Sequence, residues 1–562
     1  MEPVIIVGAG PVGLALALSL ARHEVPTVVL DAGDGRITPR PARSCVLRPD
    51  TAALVQRLIA PEPLPGARWM VWRTLRRGQV LEQRDFTPAD APLHVPEHTL
   101  RKAFRAAAGR TGLVRIVDHS KVVELEAYED GVRARTKGEQ GEVWRGSHLV
   151  GCDGIRSTVR KLLGTRFPGR TAVERHAVAA LRVALPWPEE ALLHQEMPGG
   201  KGGEVCARAL PSGVWRLDWL LPARGELVTP DALLERIQET LAAWTGERDP
   251  AYELLDTGVH TAHQRLARHW RRGRVLLAGD AAHLLGALGT QAVDEGLRDV
   301  DNLAWKLALH RLGAGDEALL DSYEQERRGA VVARLRAVDQ ALPLVRNAGA
   351  LRTLLPGGAR SRLTLLTDGH LGRGTLGAAP EHRDSPLTTA PLGGGVVTEP
   401  GERAQDIPLT ALDGTRLALS ERLGARLLVV LVAPGTAVWD SRHWLNAGVM
   451  PELAAAVRAL PAPAELFVTE SYPGAAAHTV LVVRPDGYLA AALPGVHREE
   501  LGRVVATLGG RAAVRATGSA AGRARETGGE AGGRPGGDEA PDPDPDREPA
   551  EDGARVLGRG TA

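Results

Sequence analysis

Cysteine, lysine and long apolar runs are all scarce in this chain of 562 residues. The three cysteines, Cys45, Cys152 and Cys206, have no metal-ligand spacing and form no even set, which excludes a disulfide-stapled secreted scaffold. A net charge of +1 leaves no surplus that would favour nucleic acid or an anionic membrane. No apolar run reaches the roughly 18 residues of a membrane helix. The N-terminus MEPVIIVGAG also lacks the basic segment and cleavage site of a signal peptide. We therefore expect a cytoplasmic protein with no membrane insertion and no nucleic-acid partner.

What the chain does contain is a glycine-rich motif between two apolar strands at its N-terminus. VIIV predicts a buried strand, Gly8, Gly10 and Gly13 follow it, LALALSLARH continues as a helix, and TVVL leads to Asp31. In such a βαβ unit the first glycine makes the tight turn, the second lets a pyrophosphate approach, and the third packs helix against strand. The acid is then placed to bind the ribose hydroxyls. This order predicts a Rossmann-like dinucleotide site, with NAD and FAD both left open.

Two later segments also place an acid directly after an apolar strand. HLVGCDGIRSTVRKLLG at 148–164 carries Asp153 and Arg156, and RGRVLLAGDAAH at 272–283 carries Asp280. Taken separately, each is typical of a turn or of a helix cap. A carboxylate at the end of a buried strand is costly, however, unless several donors bind it.

Together the three motifs resemble the signatures of the single-component FAD-dependent aromatic hydroxylases, the p-hydroxybenzoate hydroxylase fold group, over about residues 3–345. The resemblance implies an α/β fold in which a Rossmann-like FAD-binding domain carries an inserted antiparallel-sheet substrate domain. The strands and the Pro-Asp-Gly hairpin after residue 400 resemble the thioredoxin-like C-terminal domain of the larger polyketide and phenol hydroxylases. No cysteine follows Cys206, so dithiol chemistry is excluded there and we expect a structural or dimer-contact role.

The expected domains follow from these motifs and from composition. The boundaries are 1–65, 99–167 and 271–345 for the FAD-binding domain, 66–98 and 168–270 for the substrate-binding sheet, 346–400 for a helical segment and linker, 401–510 for the thioredoxin-like domain, and 511–562 for a tail. The tail is poor in apolar residues and mixed in charge, which is typical of disorder.

The resemblance also implies FAD contacts outside the glycine motif. Asp280 would bind the ribityl chain and phosphate region, and Arg43 would pair with the pyrophosphate. Val122 would offer its backbone to adenine, and the segment with Asp153 and Arg156 would pack beside FAD, where the family uses a nicotinamide cofactor. Amides at the start of a helix would face the flavin ring, where reduced flavin carries negative charge. Those residues are Gln291, Ala292 and Val293.

The flavin-facing turn departs from the family pattern. Gly286-Ala287 stands where the family has two prolines, and Asp294 stands where it has asparagine. Because proline restricts its own φ and the preceding residue, we expect a looser wall here. Asp294 brings a charge towards the flavin unless it serves the helix as an N-terminal acid. His283, in GDAAH, is better explained as a structural residue than as a catalytic base.

Apolar strand-like runs in 66–100 and 168–270 predict an antiparallel sheet over a substrate pocket. The candidate lining residues are Trp69, Trp72, Trp215, Trp219 and Leu288, with core packing as the alternative for the tryptophans. The histidines of HTAHQRLARHW match no zinc pattern, so we expect no metal.

The function implied by the resemblance is that of an NAD(P)H-dependent FAD monooxygenase. NADH or NADPH would reduce FAD, O2 would form the flavin C4a-hydroperoxide, and oxygen would pass to an aromatic, polycyclic polyketide-type substrate. The cofactor carries the chemistry, so no catalytic side chain is named. Baeyer–Villiger oxygenation is one alternative. A FAD-binding cyclase, isomerase or partner protein that does not oxygenate is another, motivated by the altered turn. A homodimer is one assembly that this family resemblance leaves open.

Overall fold

The structure is a computed structural model that describes residues 2–137, 142–197, 203–222, 228–288, 292–346, 358–390, 393, 395–435 and 448–510. Within these ranges no helix is both long enough and apolar enough to cross a bilayer. The predicted tail and Gln291 lie outside the described residues.

The strands occupy the following ranges. They are β1 (Val4–Val7), β2 (Thr27–Leu30), β3 (Ser44–Leu47), β4 (Ala67–Arg68), β5 (Val71–Arg76), β6 (Gln79–Asp85), β7 (Leu93–Pro96), β8 (Val114–Val117), β9 (Val122–Ala127), β10 (Val132–Thr136), β11 (Val143–Gly146), β12 (His148–Gly151), β13 (Gly169–Arg182), β14 (Glu190–Gln195), β15 (Glu204–Leu210), β16 (Val214–Leu220), β17 (Glu253–Leu266), β18 (Arg271–Arg272), β19 (Val275–Leu277), β20 (His283–Leu285), β21 (Pro408–Ala411), β22 (Arg416–Ala418), β23 (Leu427–Val432), β24 (Ala464–Thr469), β25 (Val480–Val483) and β26 (Leu489–Leu493).

The helices lie between them. They are α1 (Pro11–Arg22), α2 (Pro49–Ile59), α3 (Glu97–Thr111), α4 (Thr158–Leu162), α5 (Pro230–Thr245), α6 (Ala292–Arg311), α7 (Glu317–Tyr323), α8 (Gly329–Arg346), α9 (Gly358–Leu371), α10 (Leu419–Arg422), α11 (Met450–Arg458) and α12 (Arg498–Leu508).

The first sheet is parallel at its centre, in the order β19, β12, β1, β2, β8, with β18 antiparallel beside β19. Strand β1 at its centre is a continuous apolar run, and every residue of β1 is buried, as is typical of parallel sheets. Ligands of such sheets bind at the carboxyl ends of the strands. Gly8, Asp31, Asp153 and Asp280 all follow strands of this sheet, so the parallel pairing places the three sequence motifs at one edge.

The second sheet has eight strands in the order β20, β17, β13, β16, β15, β14, β5, β6, and all its pairs are antiparallel except β14 with β5. Both inserted segments contribute strands, as an inserted antiparallel-sheet domain requires. Strand β20 joins the same sheet from the segment just after Asp280. The sheet is therefore bonded directly to the loop that follows the third motif.

A third sheet of six strands, in the order β22, β21, β24, β23, β25, β26, lies in the C-terminal segment. Strands β23 and β24 are parallel, and β25 and β26 form the expected hairpin around Pro485-Asp486-Gly487, where Gly487 has φ +82°. The hairpin prediction is confirmed. The thioredoxin-like assignment and the domain boundaries stay predictions.

Helix α9 runs into the segment expected to be a linker. It ends at Leu371, and its last turns bury Leu366 and His370 against the second sheet. The predicted helical segment and linker at 346–400 thus contains a helix that packs its apolar side chains on tertiary neighbours, and the boundaries stay a prediction.

Candidate functional site

The glycine motif forms the turn from β1 into α1, and its three glycines differ in what surrounds them. Gly8 has φ +106°, and a Cβ there would lie 2.5 Å from the carbonyl oxygen of Cys152. A Cβ on Gly13 would overlap the carbonyl oxygen of Gly8. A Cβ on Gly10 would meet nothing within 4 Å. Gly8 and Gly13 are thus required by packing, whereas Gly10 borders open space at a helix N-terminus that no side chain caps.

Asp31 holds this turn in place. Its carboxylate accepts hydrogen bonds from the amides of Ala9 at 2.6 Å and Gly33 at 2.8 Å. The sequence did not indicate Arg101, whose Nε donates to the carbonyl oxygen of Ala9 at 3.3 Å. A carboxylate has further lone pairs for a ligand hydroxyl, so the structural bonds leave the expected ribose contact open.

Asp153 caps a helix within its own segment, and the expected place of this segment beside FAD stays a prediction. Its carboxylate accepts from the Ser157 hydroxyl at 2.5 Å and from the amides of Thr158 at 2.6 Å and Val159 at 3.0 Å, so it caps α4. The side chain of Arg156 is exposed. Arg160 links this segment to the third motif instead, donating to the carbonyl oxygen of Ala281 at 2.9 Å. The Asp153 carboxylate is therefore occupied by protein donors, while its neighbour Gly154 lines the cavity described below.

Asp280 follows β19 and lines the same cavity. Within the described part of the chain, no donor lies within hydrogen-bond distance of its carboxylate. Burial raises the pKa of Asp280 to about 6, with Glu97 and Asp299 adding to the rise and His283 opposing it. A carboxylate in this condition fits a ligand that brings its own donors.

Helix α6 begins at Ala292, and Ala292 and Val293 line the cavity beside Asp280. Asp294 points elsewhere: it is fully buried and forms an ion pair with Arg48. The Arg48 amide also donates to it at 3.0 Å, as does the Thr51 hydroxyl. The charge that replaces the family asparagine is therefore paired with Arg48, directly before α2, and is not presented to the cavity.

The expectation of a looser wall at Gly286-Ala287 stays a prediction, and the described residues show how the backbone runs there. Strand β20 pairs with β17, placing Leu285 opposite Gln264, which fixes the segment as far as Gly286. Gly286 has φ +82°, a conformation that proline cannot adopt. Beyond it, the amide of Leu288 donates to Glu174 at 3.2 Å. Sheet pairing, a left-handed turn at Gly286 and one amide hydrogen bond therefore define the path of this segment.

His283 is a structural residue, as expected. It is fully buried, its Nε2 lies 2.8 Å from Asp299, and its ring stacks on Trp270 at 5.1 Å. It is absent from the cavity lining.

The cavity has a volume of about 770 Å³ and joins the carboxyl edge of the first sheet to one face of the second. Arg43 and Leu288 line it, and so do His260 and His263 from β17; the pyrophosphate contact of Arg43 and the substrate contact of Leu288 stay predictions. Val122 is buried at the start of β9 and does not line it. Among the described residues, no His, Cys, Asp or Glu side chains are grouped closely enough to hold a metal ion.

The four tryptophans do not line this cavity, and their prediction as pocket residues is corrected. Trp69 and Trp72 are fully buried, and Trp215 and Trp219 are 3% exposed. Trp219 shows why: its Nε1 donates to Thr240 on α5, so it lies on the face of the sheet opposite the cavity. Successive side chains of a strand alternate between faces, and the cavity takes the residues between the tryptophans.

Those residues, Arg216 and Asp218, were missed at the sequence level. Arg216 pairs with Asp218 at 2.7 Å, and Arg208 from the neighbouring strand pairs with the same carboxylate at 2.9 Å. Burial raises the pKa of Asp218, but the two guanidinium groups lower it further, so it stays well below its usual range. The signal was present in VWRLDWL, because two charges spaced by two in an apolar strand must share one face.

A second buried ionic group continues the charged face. Arg346, from the end of α8, bonds Glu174 at 2.6 Å and Glu204 at 2.8 Å, and His370 lies 3.7 Å from Glu204. Burial raises the pKa of Glu204, yet His370 and Arg346 hold it well below its usual range. The cavity wall is therefore polar, and its charges are paired.

The chain belongs to the FAD binding domain family, whose model matches residues 1–338. It is 31% identical over 341 residues to the 3-(3-hydroxy-phenyl)propionate/3-hydroxycinnamic acid hydroxylase of Mycobacterium sp. (strain JLS), covering 58% of this chain and 57% of that one. It thus spans little more than half of that relative's length. It is 29% identical over 503 residues to the dialkyldecalin synthase of Streptomyces rugosporus, covering 87% of this chain and 95% of that one. The solved anhydrotetracycline hydroxylase of Streptomyces rimosus has a TM-score of 0.63 at 26% identity, covering 90% of this chain and 98% of that one.

FAD is therefore the dinucleotide of this site, and the described residues fit it. The uncapped α1 N-terminus at Gly10 is suited to a pyrophosphate. The Asp280 carboxylate, without donors among the described residues, is suited to ribityl hydroxyls. The α6 N-terminus, which borders the cavity, is suited to the partial charge of a flavin ring.

Proposed function

We propose that this protein is an NAD(P)H-dependent FAD monooxygenase that hydroxylates an aromatic, polycyclic polyketide-type substrate with O2. The supporting observation is the cavity of about 770 Å³, because it brings Asp280 and the first residues of α6 together with the polar face of the second sheet. Similarity to two hydroxylases supports the same reaction class. Bound FAD supplies the redox and oxygen chemistry, with NADH or NADPH as reductant.

The chain's own residues bind and orient the cofactor and the substrate, and they exclude water. Amides at the N-termini of α1 and α6 present partial positive charge to phosphate and to a reduced ring. The Asp280 carboxylate would accept hydrogen bonds from cofactor hydroxyl groups. The segment from Leu284 to Leu288 closes one wall with apolar side chains, which limits water at the reacting centre. The paired charges of the sheet offer hydrogen bonds to polar substituents of a substrate.

The test is a coupled measurement on FAD-loaded protein. NAD(P)H oxidation, hydrogen peroxide and products with one added oxygen atom are followed in air with a panel of polycyclic phenols. We expect reductant consumption and a hydroxylated product. Gly10→Val serves as the flavin-free control. If reductant is consumed without oxygenated product from any member of the panel, the proposal fails. A ring-expanded ester or lactone from a ketone would favour Baeyer–Villiger oxygenation.

A second candidate is a cyclase in which FAD is bound but no oxygen is transferred. The observation that favours it is the match to the dialkyldecalin synthase, which extends over 503 residues where the match to the hydroxycinnamic acid hydroxylase covers 341. A cyclase would convert an unsaturated polyketide chain to a product of the same mass, without NAD(P)H and without O2. Mass measurement under anaerobic conditions separates the two candidates.

We also propose that the protein acts in the cytoplasm and as a homodimer. The cysteine content suits a reducing compartment. Light scattering of the FAD-loaded full chain tests the assembly, and a monomeric mass at micromolar concentration contradicts it.

A further inference from the structure

A serine, a histidine and an arginine from three separate segments meet at the cavity wall. Ser44 begins β3, His94 lies in β7 and Arg216 lies in β16, and all three line the cavity. The Ser44 hydroxyl lies 2.7 Å from Nε2 of His94, and NH1 of Arg216 donates to it at 3.0 Å. No sequence motif connects these residues.

The direction of each hydrogen bond follows from the partners. Nδ1 of His94 lies 2.8 Å from the carbonyl oxygen of Ala209, which can only accept, so Nδ1 carries the proton. In the neutral ring Nε2 is then an acceptor, and the Ser44 hydroxyl must donate to it. Arg216 has donors only. Ser44 thus donates its one hydroxyl proton to His94 and accepts a hydrogen bond from Arg216 with one lone pair.

The imidazole is held in this state. His94 is buried, and Trp69 packs edge-on against its ring with the two ring centroids 5.5 Å apart. Burial lowers the pKa of His94 to about 3, and the charges of Arg208 and Arg216 lower it as well. The ring therefore stays neutral at physiological pH and is a poor acceptor of a transferred proton.

We propose that Ser44 is a specificity-determining residue that accepts a hydrogen bond from a hydroxyl group of the substrate. A hydroxyl oxygen has two acceptor sites, and Arg216 takes one, so one acceptor site is left for the cavity. With its proton fixed on His94, Ser44 discriminates against an ether or a carbonyl oxygen, neither of which can donate. This inference rests on the proposed function and narrows its substrates to those with a free phenolic hydroxyl that reaches Ser44 in the cavity.

The test is calorimetric titration of oxidised, FAD-loaded protein with β-naphthol and with its methyl ether, at a pH where the phenol is neutral. We expect wild-type protein to bind the phenol roughly threefold to tenfold more tightly, the worth of one hydrogen bond. Ser44→Ala should bind the two probes equally, and Ser44→Thr should keep the preference. In His94→Phe the serine proton is released and Ser44 can donate to the ether, so the preference should disappear while Ser44 remains.

Thr261→Val is the matched control, since it removes another hydroxyl from the cavity wall and should leave the preference intact. Equal affinities in wild-type protein, no binding of β-naphthol, or a preference that survives in Ser44→Ala or His94→Phe would each overturn the proposal. Loss of the preference in Thr261→Val would overturn it too. If Ser44→Ala does not retain FAD, the affinities of wild-type protein and His94→Phe for the two probes decide the question in its place. Because no NAD(P)H is added, a protein without oxygenase activity still gives a valid result here.

Discussion

The glycine turn and the polar cavity wall are the two surfaces that we propose bind ligands, and they are built in opposite ways. In the turn, Gly8, Gly10 and Gly13 lie within six residues, and their roles depend on backbone contacts. In the wall, Ser44, His94 and Arg216 lie on three different strands and depend on side-chain hydrogen bonds. Folding of the turn is therefore sensitive to a side chain at Gly8 or Gly13, and the wall is sensitive to the loss of a partner.

The largest expected effect lies inside the turn, where two of its glycines should respond differently to the same substitution. Gly13→Val places atoms on the carbonyl oxygen of Gly8 and should prevent folding, which soluble yield and circular dichroism report. Gly10→Val meets no protein atom within 4 Å and should fold normally but lack FAD, because its side chain occupies the space expected for the pyrophosphate. The flavin content after denaturation decides the second point, and a Gly10→Val protein with full FAD contradicts the site.

A smaller loss is expected in the wall. Asp218→Ala leaves Arg208 and Arg216 buried without their shared carboxylate, which should lower the free energy of unfolding by about 3–5 kcal/mol. The control is Arg182→Ala, which removes a largely exposed pair with Glu253 and should cost about 1 kcal/mol or less. Urea titration measures both. Equal losses would mean that the wall is as solvated as the surface.

Asp280 links the two surfaces, and its effect depends on pH. Its pKa of about 6 lies above the ordinary aspartate value of 3.8. The FAD-free protein should therefore lose stability as the pH rises from 3.8 through about 6, because the buried carboxylate then ionises. Cofactor hydroxyls need the ionised acceptor, so FAD affinity should be full at pH 8 and weaken as pH falls through about 6.

Asp280→Ala should weaken FAD binding by about 1–3 kcal/mol at pH 8, since it strands the cofactor's donors. It should also remove the decrease in affinity at low pH. Dissociation constants from flavin fluorescence across the pH range test this, and an unchanged pH profile in the variant would assign the titration to another group.

The smallest effect concerns the second motif. Arg156 is exposed and lies outside the cavity lining, so Arg156→Ala should change FAD affinity and stability by no more than about 0.5 kcal/mol. Arg160→Ala removes buried hydrogen bonds to Ala281 and Ile155 and should cost more than Arg156→Ala in thermal unfolding. A large loss of NAD(P)H oxidation rate in Arg156→Ala would show that the exposed side chain binds the reductant.

The sequence determined the dinucleotide edge well because its information is local. Strand, glycine turn, helix and acid are contiguous, and the parallel pairing of β1, β2, β12 and β19 brings the three motifs to one edge by rule. The cofactor class and the antiparallel sheet followed from the same motifs by resemblance. The departure at Asp294 could not be interpreted from the sequence, because its partner Arg48 lies 246 residues away.

Only the tertiary structure decided which face of each strand meets the cavity. The large aromatic side chains of VWRLDWL drew attention at the sequence level, yet alternation along β16 turned them into the core and left Arg216 and Asp218 on the wall. His94 and Ser44 carry no local signal in the sequence. They meet only because β3 pairs with β7 and because Arg216 of β16 reaches Ser44. Short-range patterns specify backbone turns, whereas a side-chain network exists only once distant strands are brought into register.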